Sequence, residues 1–273
     1  MSGGTRPRLL VVVAGTGTEV GKTWVAARLA AALRARGLRV AARKPVQSFD
    51  PAAEEPSDAE QLAAATGEAP ERVCPRARRY ALPMAPPMAA EALGLPAPRL
   101  AELAAEIVAS WPRPAADVGL VELAGGVRSP LAADGDGVEL VSALAPGLVL
   151  LVADAALGAL NAVRLSCDAL APHATLVHLN RYDAAHEIQR RNRAWLVERS
   201  GLALTSDLAA LADAVEARLP RFCRHCGRTT CSGACVRLLD PPHFCPRCGS
   251  KLVVQVAPTG HSARCRDHGP LRD

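Results

Sequence analysis

The residues with the clearest chemical purpose form a glycine-rich loop, Gly15-Thr-Gly-Thr-Glu-Val-Gly21-Lys22-Thr23, which follows an apolar run. A site for nucleotide phosphates needs glycines whose backbone N–H groups face the anion, a lysine, a hydroxyl for Mg²⁺ and a helix N-terminus behind the loop. All four are predicted here, although five residues separate Gly15 from Gly21, whereas the common motif has about four. The loop therefore predicts nucleotide binding.

Other charged residues follow later apolar runs. Lys44 ends the second run and Glu122 ends the third, where Gly125 and Gly126 come next. At the shared edge of a parallel sheet, Lys44 would neutralise charge that develops in phosphoryl transfer, and Glu122 would ligate Mg²⁺. Asp58 could add a carboxylate. The alternatives are a solvated lysine at a strand end and a helix N-terminal aspartate.

A third candidate group, at the end of the fifth apolar run, would contact the base of the nucleotide. The fifth apolar run ends in Asn180-Arg181-Tyr182-Asp183, and an asparagine amide offers one donor and one acceptor to a purine edge. The Asn-x-x-Asp spacing is also similar to the guanine-reading motif of GTPases, with Arg181 where that motif has lysine. These residues leave the identity of the base open.

The cysteines indicate a separate metal-binding segment. Of nine cysteines, seven fall within residues 223–265, and His268 follows. Two Cys-x2-Cys pairs could form one four-cysteine zinc site. The division that uses every ligand gives a compact set (Cys223, Cys226, Cys231, Cys235) and a zinc-ribbon set (Cys245, Cys248, Cys265, His268). We favour the second division, with zinc in both sets or an iron–sulfur cluster in the compact one.

Short apolar runs must position the phosphate loop and its partners. Five of them are continuous enough for strands buried on both faces: Leu9–Ala14, Leu38–Ala42, Val118–Val121, Leu148–Ala153 and Thr175–Leu179. Helical patterns lie between them at Thr23–Arg36, Leu100–Ser110 and Ala155–Leu170, and residues 50–57 and 68–98 are predicted as loops around short helices. This alternation predicts an α/β P-loop NTPase-type parallel sheet with flanking helices.

Charge divides the chain in the same way as the cysteines. Residues 221–273 hold nine Lys or Arg and three Asp or Glu, a net charge of +6, within a total of +5. We therefore predict an α/β domain at 1–220 and a small cysteine-rich module at 221–273. No apolar run reaches the roughly 18 residues of a membrane span, so we expect a soluble cytoplasmic protein whose paired cysteines bind metal.

Together, the motifs of the first domain resemble those of dethiobiotin synthetase, the ATP-dependent ligase that closes the ureido ring in biotin synthesis. The motifs at 15–23, 44–48, 57–58 and 122–126, and then Asn180, follow the family order, and the resemblance covers residues 8–210. It implies that 7,8-diaminononanoate and CO₂ become dethiobiotin through a phosphorylated carbamate, with ATP and Mg²⁺. It also implies a homodimer, whose interface lies near residues 157–161.

The resemblance implies a role for each matching position. Lys22 and the loop amides would hold the triphosphate, and Thr23, Asp58 and Glu122 would ligate Mg²⁺. Lys44 would stabilise the carbamate, with Thr18 and Ser48 binding nearby, and Asn180 would hold adenine. The other ligand-binding positions that it implies are Glu19, Val20, Gly21, Trp24, Gly125, Gly126, Asn161 and Arg181.

Two departures from the family pattern bear on the site. Leu123 stands where the family's Glu-Gly-Ala-Gly-Gly has its first glycine, and we expect it to crowd the backbone near the substrate. The usual Ile-Pro is missing from residues 204–207, which affects base contacts. Neither departure removes a charged group that the chemistry requires.

The cysteine-rich segment resembles the small biotin synthase auxiliary protein, which implies a fusion that assists biotin synthase. Two alternatives remain for the whole chain. One is a related P-loop amidoligase or NTPase with another substrate, which Leu123 permits. The other is a regulatory ATP-binding protein whose basic ribbon binds nucleic acid, which the scarcity of stacking aromatics (Phe222 and Phe244) disfavours.

Overall fold

The computed structural model describes residues 6–237, 239–258 and 260–271. The chain forms two compact units, one ending at Arg218 and the other beginning at Leu219. The domain boundary predicted from the sequence, between residues 220 and 221, lies two residues after this division and stays a prediction. In the described part of the chain, no helix is long and apolar enough to cross a membrane.

The first unit alternates strands and helices. Its strands are β1 (Leu9–Gly15), β2 (Val40–Arg43), β3 (Gln47–Ser48), β4 (Arg79–Tyr80), β5 (Val118–Glu122), β6 (Pro130–Ala132), β7 (Gly135–Asp136), β8 (Leu148–Asp154), β9 (Thr175–Asn180) and β10 (Leu204–Thr205). Its helices are α1 (Lys22–Ala35), α2 (Asp58–Thr66), α3 (Pro70–Val73), α4 (Pro86–Ala92), α5 (Leu100–Ser110), α6 (Gly137–Leu144), α7 (Ala159–Leu170), α8 (Glu187–Glu198) and α9 (Leu208–Glu216).

Six strands form the main sheet in the order β10-β9-β8-β1-β5-β2. All of their pairings are parallel, which confirms the predicted α/β class. Each of the five predicted apolar runs contains or overlaps one of these strands, and β1 and β5 are fully buried. Because the strands are parallel, their carboxyl ends place the phosphate loop, Lys44 and Glu122 at the same edge of the sheet.

The helix predictions were right for α5 and within one residue for α1. The predicted helix at 155–170 was wrong at its start, because α7 begins at Ala159. Gly158 before it has φ 92°, a left-handed conformation, and Asp154 accepts a hydrogen bond from Ala156 N at 3.0 Å in a turn. Helices α8 and α9 and strand β10 were not predicted from the sequence.

The second unit has little regular structure. It contains a three-stranded antiparallel sheet of β11 (Val253–Ala257), β12 (Gly260–Cys265) and β13 (Gly269–Pro270). Strand β11 lies between Cys248 and Cys265, two residues of the predicted ribbon set. Most other described residues of this unit lie in turns and irregular segments, which carry six of its seven cysteines, and Cys265 ends β12.

Candidate functional site

The phosphate loop connects β1 to α1 and ends at Gly21, which caps the helix with φ 88°. Lys22 is 7% exposed and its Nζ donates a hydrogen bond to the carbonyl of Gly17 at 2.8 Å. Burial, followed by the nearby charge of Lys44, lowers the pKa of Lys22 to about 8. A Cβ on Gly15 would lie 2.8 Å from Lys22 Cδ, so glycine at 15 makes room for the lysine stem. The phosphate loop therefore packs against the stem of Lys22 and accepts a hydrogen bond from its ammonium.

Four of the predicted residues meet beside this loop. Lys44 Nζ lies 2.6 Å from Glu122 Oε1 and 2.7 Å from Asp58 Oδ2. Thr23 Oγ1 is 2.7 Å from Glu122 Oε1 and 2.9 Å from Asp58 Oδ1. Although burial opposes it, the charges of Glu122 and Asp58 raise the pKa of Lys44. Burial likewise opposes ionisation of Asp58, but the Lys44 ammonium lowers the pKa of that carboxyl. Burial raises the pKa of Glu122, although the Lys44 ammonium opposes this shift. Lys44 and Asp58 therefore both favour their charged forms.

Local sequence explains why Asp58 reaches this cluster. Asp58 is the first residue of α2, and Ser57 before it caps the helix, with Glu60 completing a capping box. Glu60 accepts a hydrogen bond from Ser57 N at 2.7 Å. Both interpretations of Asp58 made from the sequence are therefore consistent with its position, because it opens a helix and also contacts Thr23 and Lys44.

A buried arginine holds the strand end from which Lys44 projects. Arg43 is 3% exposed and pairs with Glu68 at 2.8 Å, while its guanidinium lies 4.9 Å from the ring centroid of Trp111. Glu68 also accepts a hydrogen bond from Ala42 N at 2.8 Å. The alternative of a solvated lysine at this strand end is wrong, since Lys44 is itself 3% exposed.

Two polar atoms in the cluster region fit an added ligand. Among the described residues, Glu122 Oε2 and Ser48 Oγ are buried without a hydrogen-bond partner. Buried polar atoms are rarely left unpaired, and a carboxylate oxygen can be satisfied only by a donor or a cation. The hydroxyl of Thr23 and the carboxylates of Asp58 and Glu122 form an all-oxygen set of the kind that Mg²⁺ prefers. These residues therefore fit a magnesium ion.

A cleft of about 760 Å³ opens above the cluster. Twelve of the predicted site residues line it: Thr18, Glu19, Gly21, Lys22, Thr23, Trp24, Lys44, Ser48, Asp58, Glu122, Gly125 and Arg181. Four predicted residues do not: Val20, Gly126, Asn161 and Asn180. Of these, Asn161 is exposed on α7. The remaining three are near the loops that form the cleft.

Asn180, which the resemblance assigns to adenine, and the neighbouring Arg181 both contact the phosphate loop. Asn180 Nδ2 donates to the carbonyl of Val20 at 3.0 Å, and Arg181 Nη2 donates to the carbonyl of Glu19 at 3.1 Å. A Cβ on Gly21 would lie 2.2 Å from Asn180 Nδ2, so glycine is required there for this packing. Base contacts by these side chains remain a prediction.

The expectation that Leu123 crowds the cleft was wrong. Its side chain is 1% exposed and belongs to the hydrophobic core, and Leu123 does not line the cleft. A Cβ on Gly137 would lie 3.1 Å from Leu123 Cδ1, which places the leucine against the start of α6. The departure from the family pattern therefore points away from the ligands.

The sequence missed several residues of the cleft wall. Ser129 lines the cleft, and its Oγ accepts a hydrogen bond from Gly126 N at 2.9 Å. Gly125 has φ 68°, and a Cβ there would lie 2.4 Å from Ser129 Oγ. Other missed lining residues are Glu55, Gln61, Pro83, Met84, Ala85, Pro86, Ala124 and Pro130. Most of them lie in loops or at element ends, where no periodic pattern could reveal them, whereas Gln61 lies within α2.

In the second unit, the cysteines gather into the two predicted sets. The potential ligand atoms within each set lie within 4.8 Å of one another, and the ribbon set is the more buried. In the compact set, Cys235 Sγ lies 3.4 Å from Cys223 Sγ and 3.3 Å from Cys231 Sγ. All nine cysteines are free thiols.

The spacing in the ribbon set matches tetrahedral coordination. Cys248 Sγ and Cys265 Sγ are 3.6 Å apart, and His268 Nδ1 lies 3.6 Å from Cys245 Sγ and 3.5 Å from Cys265 Sγ. With Zn–S of about 2.3 Å and Zn–N of about 2.05 Å, a tetrahedron places sulfurs about 3.8 Å apart and sulfur about 3.6 Å from nitrogen. The ribbon set fits one zinc-sized ion.

Comparison with known proteins places these features in a family. A family model described as an AAA domain matches residues 10–190. The ATP-dependent dethiobiotin synthetase of Phenylobacterium zucineum is 43% identical over 159 residues, covering 55% of this chain and 64% of that protein. The enzyme of the same name from Anaeromyxobacter dehalogenans is 45% identical over 163 residues, covering 58% of this chain and 69% of that protein.

The matched segment spans about two thirds of the length of these curated relatives. Among solved structures, the signal recognition particle receptor FtsY from Elizabethkingia anophelis is 16% identical with a TM-score of 0.46, covering 80% of this chain and 67% of that one. The family model ends at residue 190, so the second unit lies outside it.

Proposed function

Because this chain belongs to the ATP-dependent dethiobiotin synthetase family, we propose that it closes the ureido ring of dethiobiotin from 7,8-diaminononanoate, CO₂ and ATP. The position of Lys44 is the observation that carries the proposal. Its ammonium is buried between Glu122 and Asp58 beside the phosphate loop, and it lines the cleft. A buried ammonium whose charged form is favoured by two neighbouring carboxylates can stabilise an anion formed next to the γ-phosphate.

The proposed chemistry has three steps. One amine of the substrate adds to CO₂ and loses a proton, giving a carbamate anion. A carbamate oxygen attacks the γ-phosphorus of ATP, ADP leaves, and a carbamoyl phosphate forms. The second amine attacks the carbamoyl carbon, phosphate leaves with the C–O electron pair, and loss of a proton completes the ring. Negative charge on the carbamate oxygens must be stabilised in the first two steps, which is the role we assign to Lys44.

The remaining residues bind and orient the reactants in this proposal. Lys22 and the backbone amides of the phosphate loop hold the triphosphate, as in other P-loop sites. Ser48 Oγ, buried without a partner among the described residues, donates to the carbamate. Thr23, Asp58 and Glu122 hold Mg²⁺, which neutralises phosphate charge when bound.

A ring-closure assay tests the proposal. Incubation with diaminononanoate, bicarbonate, Mg²⁺ and ATP should give dethiobiotin, and Lys44→Ala should lower kcat by about 10²-fold to 10³-fold, as loss of one preorganised donor does elsewhere. Lys251→Ala is the matched control, because Lys251 is an exposed lysine in the second unit. Thermal unfolding and ATP binding of the Lys44→Ala protein establish that it is folded.

The same assay separates the alternative of a related amidoligase or NTPase. ATP hydrolysis that is stimulated by another amine or acid, with no dethiobiotin formed by the wild-type protein, would overturn the ring-closing proposal. Product formation that Lys44→Ala leaves unchanged would overturn the role of the lysine alone. The two outcomes are read by mass spectrometry of the products and by phosphate release.

We propose in addition that the protein acts as a homodimer. Apolar side chains are exposed just before α7, where Leu157 is 88% exposed, and within α7, where Leu165 is 61% exposed. A surface of this kind is typical of a protein contact. Light scattering should give twice the chain mass, and Leu157→Asp should shift the protein towards monomer, whereas a wild-type monomer at micromolar concentration contradicts the proposal.

For the second unit, we propose that each cysteine set binds one zinc ion and that the module assists biotin synthase. Convergence of each set within 4.8 Å supports a single ion over a multi-iron cluster. Metal analysis of protein purified without oxygen should give two zinc ions per chain and no visible absorption, whereas a brown protein containing iron and sulfide contradicts the zinc assignment. Stimulation of biotin synthase turnover by the full chain, lost in Cys245→Ser, tests the assistance.

A further inference from the structure

The two Cys-x2-Cys turns of the second unit are copies of one short motif. Phe222-Cys-Arg-His-Cys-Gly227-Arg228 aligns with Phe244-Cys-Pro-Arg-Cys-Gly249-Ser250, so each turn has a phenylalanine before its first cysteine and a glycine after its second. The two copies also supply ligands to different sets, the first to the compact set and the second to the ribbon set.

The two copies have the same backbone conformation. In the first, Cys223 N donates to the carbonyl of Arg228 at 2.8 Å, and in the second, Cys245 N donates to that of Ser250 at 2.8 Å. Gly227 and Gly249 both have φ 71°, and their N–H groups donate back to the first cysteine of their own copy. The repeat is therefore structural as well as sequential.

The two copies exchange contacts through their phenylalanines, because the ring of each copy packs against the other copy. A Cβ on Gly227 would lie 2.7 Å from Phe244 Cδ1, and a Cβ on Gly249 would lie 2.7 Å from Phe222 Cδ1. Each ring therefore lies on the glycine of the other copy.

The backbone is exchanged in the same way, since Phe222 N donates to the carbonyl of Pro246 at 2.9 Å and Phe244 N donates to that of Arg224 at 2.8 Å. Each acceptor lies between the two cysteines of the opposite copy. Neither Cys-x2-Cys turn is complete without the other.

We propose that the compact and ribbon sets bind their metal ions as a coupled pair, in which an ion at either site tightens binding at the other through this exchange. The proposal rests on metal binding by the second unit. An ion that fixes Cys245 and Cys248 also fixes the carbonyl of Pro246 and Gly249, on which Phe222 and the compact set depend. Linkage then requires that the compact site strengthen the ribbon site by the same factor.

The experiment measures metal affinity in the full chain with one site disabled at a time. Cys226→Ser/Cys231→Ser removes the compact site, and Cys248→Ser/Cys265→Ser removes the ribbon site. Co²⁺ and Zn²⁺ titrations against a chromophoric chelator give the affinity of the remaining site, and the Co²⁺ absorption spectrum distinguishes four-sulfur from three-sulfur coordination. We expect each disabled site to weaken the other at least tenfold, by matching factors, compared with the fully loaded wild type.

Milder variants guard against simple unfolding. Phe222→Leu and Phe244→Leu retain apolar volume but lose the flat contact with the opposite glycine, so they should reduce the coupling factor while both sites still fill. Val253→Ala is the control, because Val253 is 70% exposed on β11 and lies in neither copy of the motif. It should leave both the affinities and the coupling factor unchanged.

The outcomes distinguish failure of the coupling from failure of metal binding. Two ions bound with affinities that stay within twofold when the other site is disabled would overturn the coupling and leave zinc binding intact. Fewer than two ions in the wild-type protein would overturn both. Coupling that persists unchanged in the two Phe→Leu variants would overturn the role of the exchanged rings.

Discussion

The two units of this chain hold their functional residues by different means. In the first, the strands that carry the site are buried: Val11, Val12, Val13 and Ala14 of β1 are each 0% exposed. In the described part of the second unit, the buried hydrophobic residues are Cys245, Ala263 and Cys265, two of which are proposed metal ligands. The first site is therefore positioned by a packed core, whereas the second is positioned largely by the groups that would bind metal.

The contrast extends to the polar groups. Lys44 pairs with Glu122 and Asp58, so the protein supplies both the positive group of the first site and its acidic partners. The cysteine thiols of the second unit instead contact one another at 3.3 to 3.6 Å, and two of them also contact His268 Nδ1. A protein site that is neutralised by its own residues can persist without ligand, while a cluster of thiolates requires a cation. Removal of metal should therefore unfold the second unit and leave the first unit folded.

The largest predicted effect is that of metal removal on the second unit. Structural zinc contributes about 10–16 kcal/mol of folding free energy in small metal-dependent folds. A unit with so few buried residues cannot stay folded when that contribution is removed. A strong chelator should make residues 221–271 exchange their amide hydrogens freely, while β1, β5 and β8 stay protected. Hydrogen exchange read by mass spectrometry measures both units in one sample. Protection of β11 and β12 that survives complete metal removal would contradict the comparison.

The converse perturbation acts on the first unit. Leu150 lies on β8 in the centre of the sheet and is 0% exposed, so Leu150→Ala should lower the free energy of unfolding by about 2–5 kcal/mol. Calorimetry should show a large fall in the melting temperature of the first unit with unchanged zinc content. Val256→Ala, at a residue 74% exposed on β11, is the control and should change stability by less than about 0.5 kcal/mol.

Much of the fold was predictable because parallel strands leave a strong pattern. All five apolar runs became strands of the main sheet, since burial on both faces demands unbroken apolar sequence. Strand β10 has two residues and α8 is mostly polar, with buried positions only at Asn192 and Leu196. Elements this short or this exposed carry too little periodicity to be found. The start of α7 was misplaced because alanine at 155 and 156 is compatible with both helix and turn.

The candidate site was predictable where a motif fixes position and less so where loops do. The meeting of Lys44 and Glu122 follows from the ends of adjacent parallel strands. The packing of Leu123 into the core could not be foreseen, because the direction of one side chain after a strand depends on the loop that follows. Ser129 was missed for the same reason. Its contact with Gly126 closes a turn, and the glycines of that turn do not indicate which later side chain makes the contact.

A smaller effect tests how precisely packing holds the first site. Ser57 caps α2 with a long contact, 3.4 Å from its Oγ to Glu60 N, next to Asp58. Ser57→Ala should lower the free energy of unfolding by about 0.5–1 kcal/mol, the low end for caps, and should leave zinc binding unaffected. Ser57→Thr, which keeps the hydroxyl, is the matched control. A change in Mg²⁺ dependence far larger than the change in stability would mean that the cap, rather than the core, positions Asp58.

The smallest predicted effect concerns the charge of Lys22. Its pKa is lowered to about 8, chiefly by burial, so the free protein loses this charge as pH rises through 8, whereas bound triphosphate favours the protonated form. If only the ammonium binds phosphate, the apparent Kd for ATP should rise about twofold at pH 8. Binding at pH 8 should also take up about half a proton.

Calorimetry in buffers of different ionisation enthalpy measures that uptake, and Lys22→Arg, which stays charged, should show none. Equal uptake by both proteins would place the titrating group elsewhere. In that case, the protonation state of Lys22 would not change when ATP binds, as we also expect for Lys44. Uptake by the wild-type protein alone would mean that packing fixes the position of Lys22, while bound nucleotide fixes its protonation. The first unit would then depend on its ligand in this one respect.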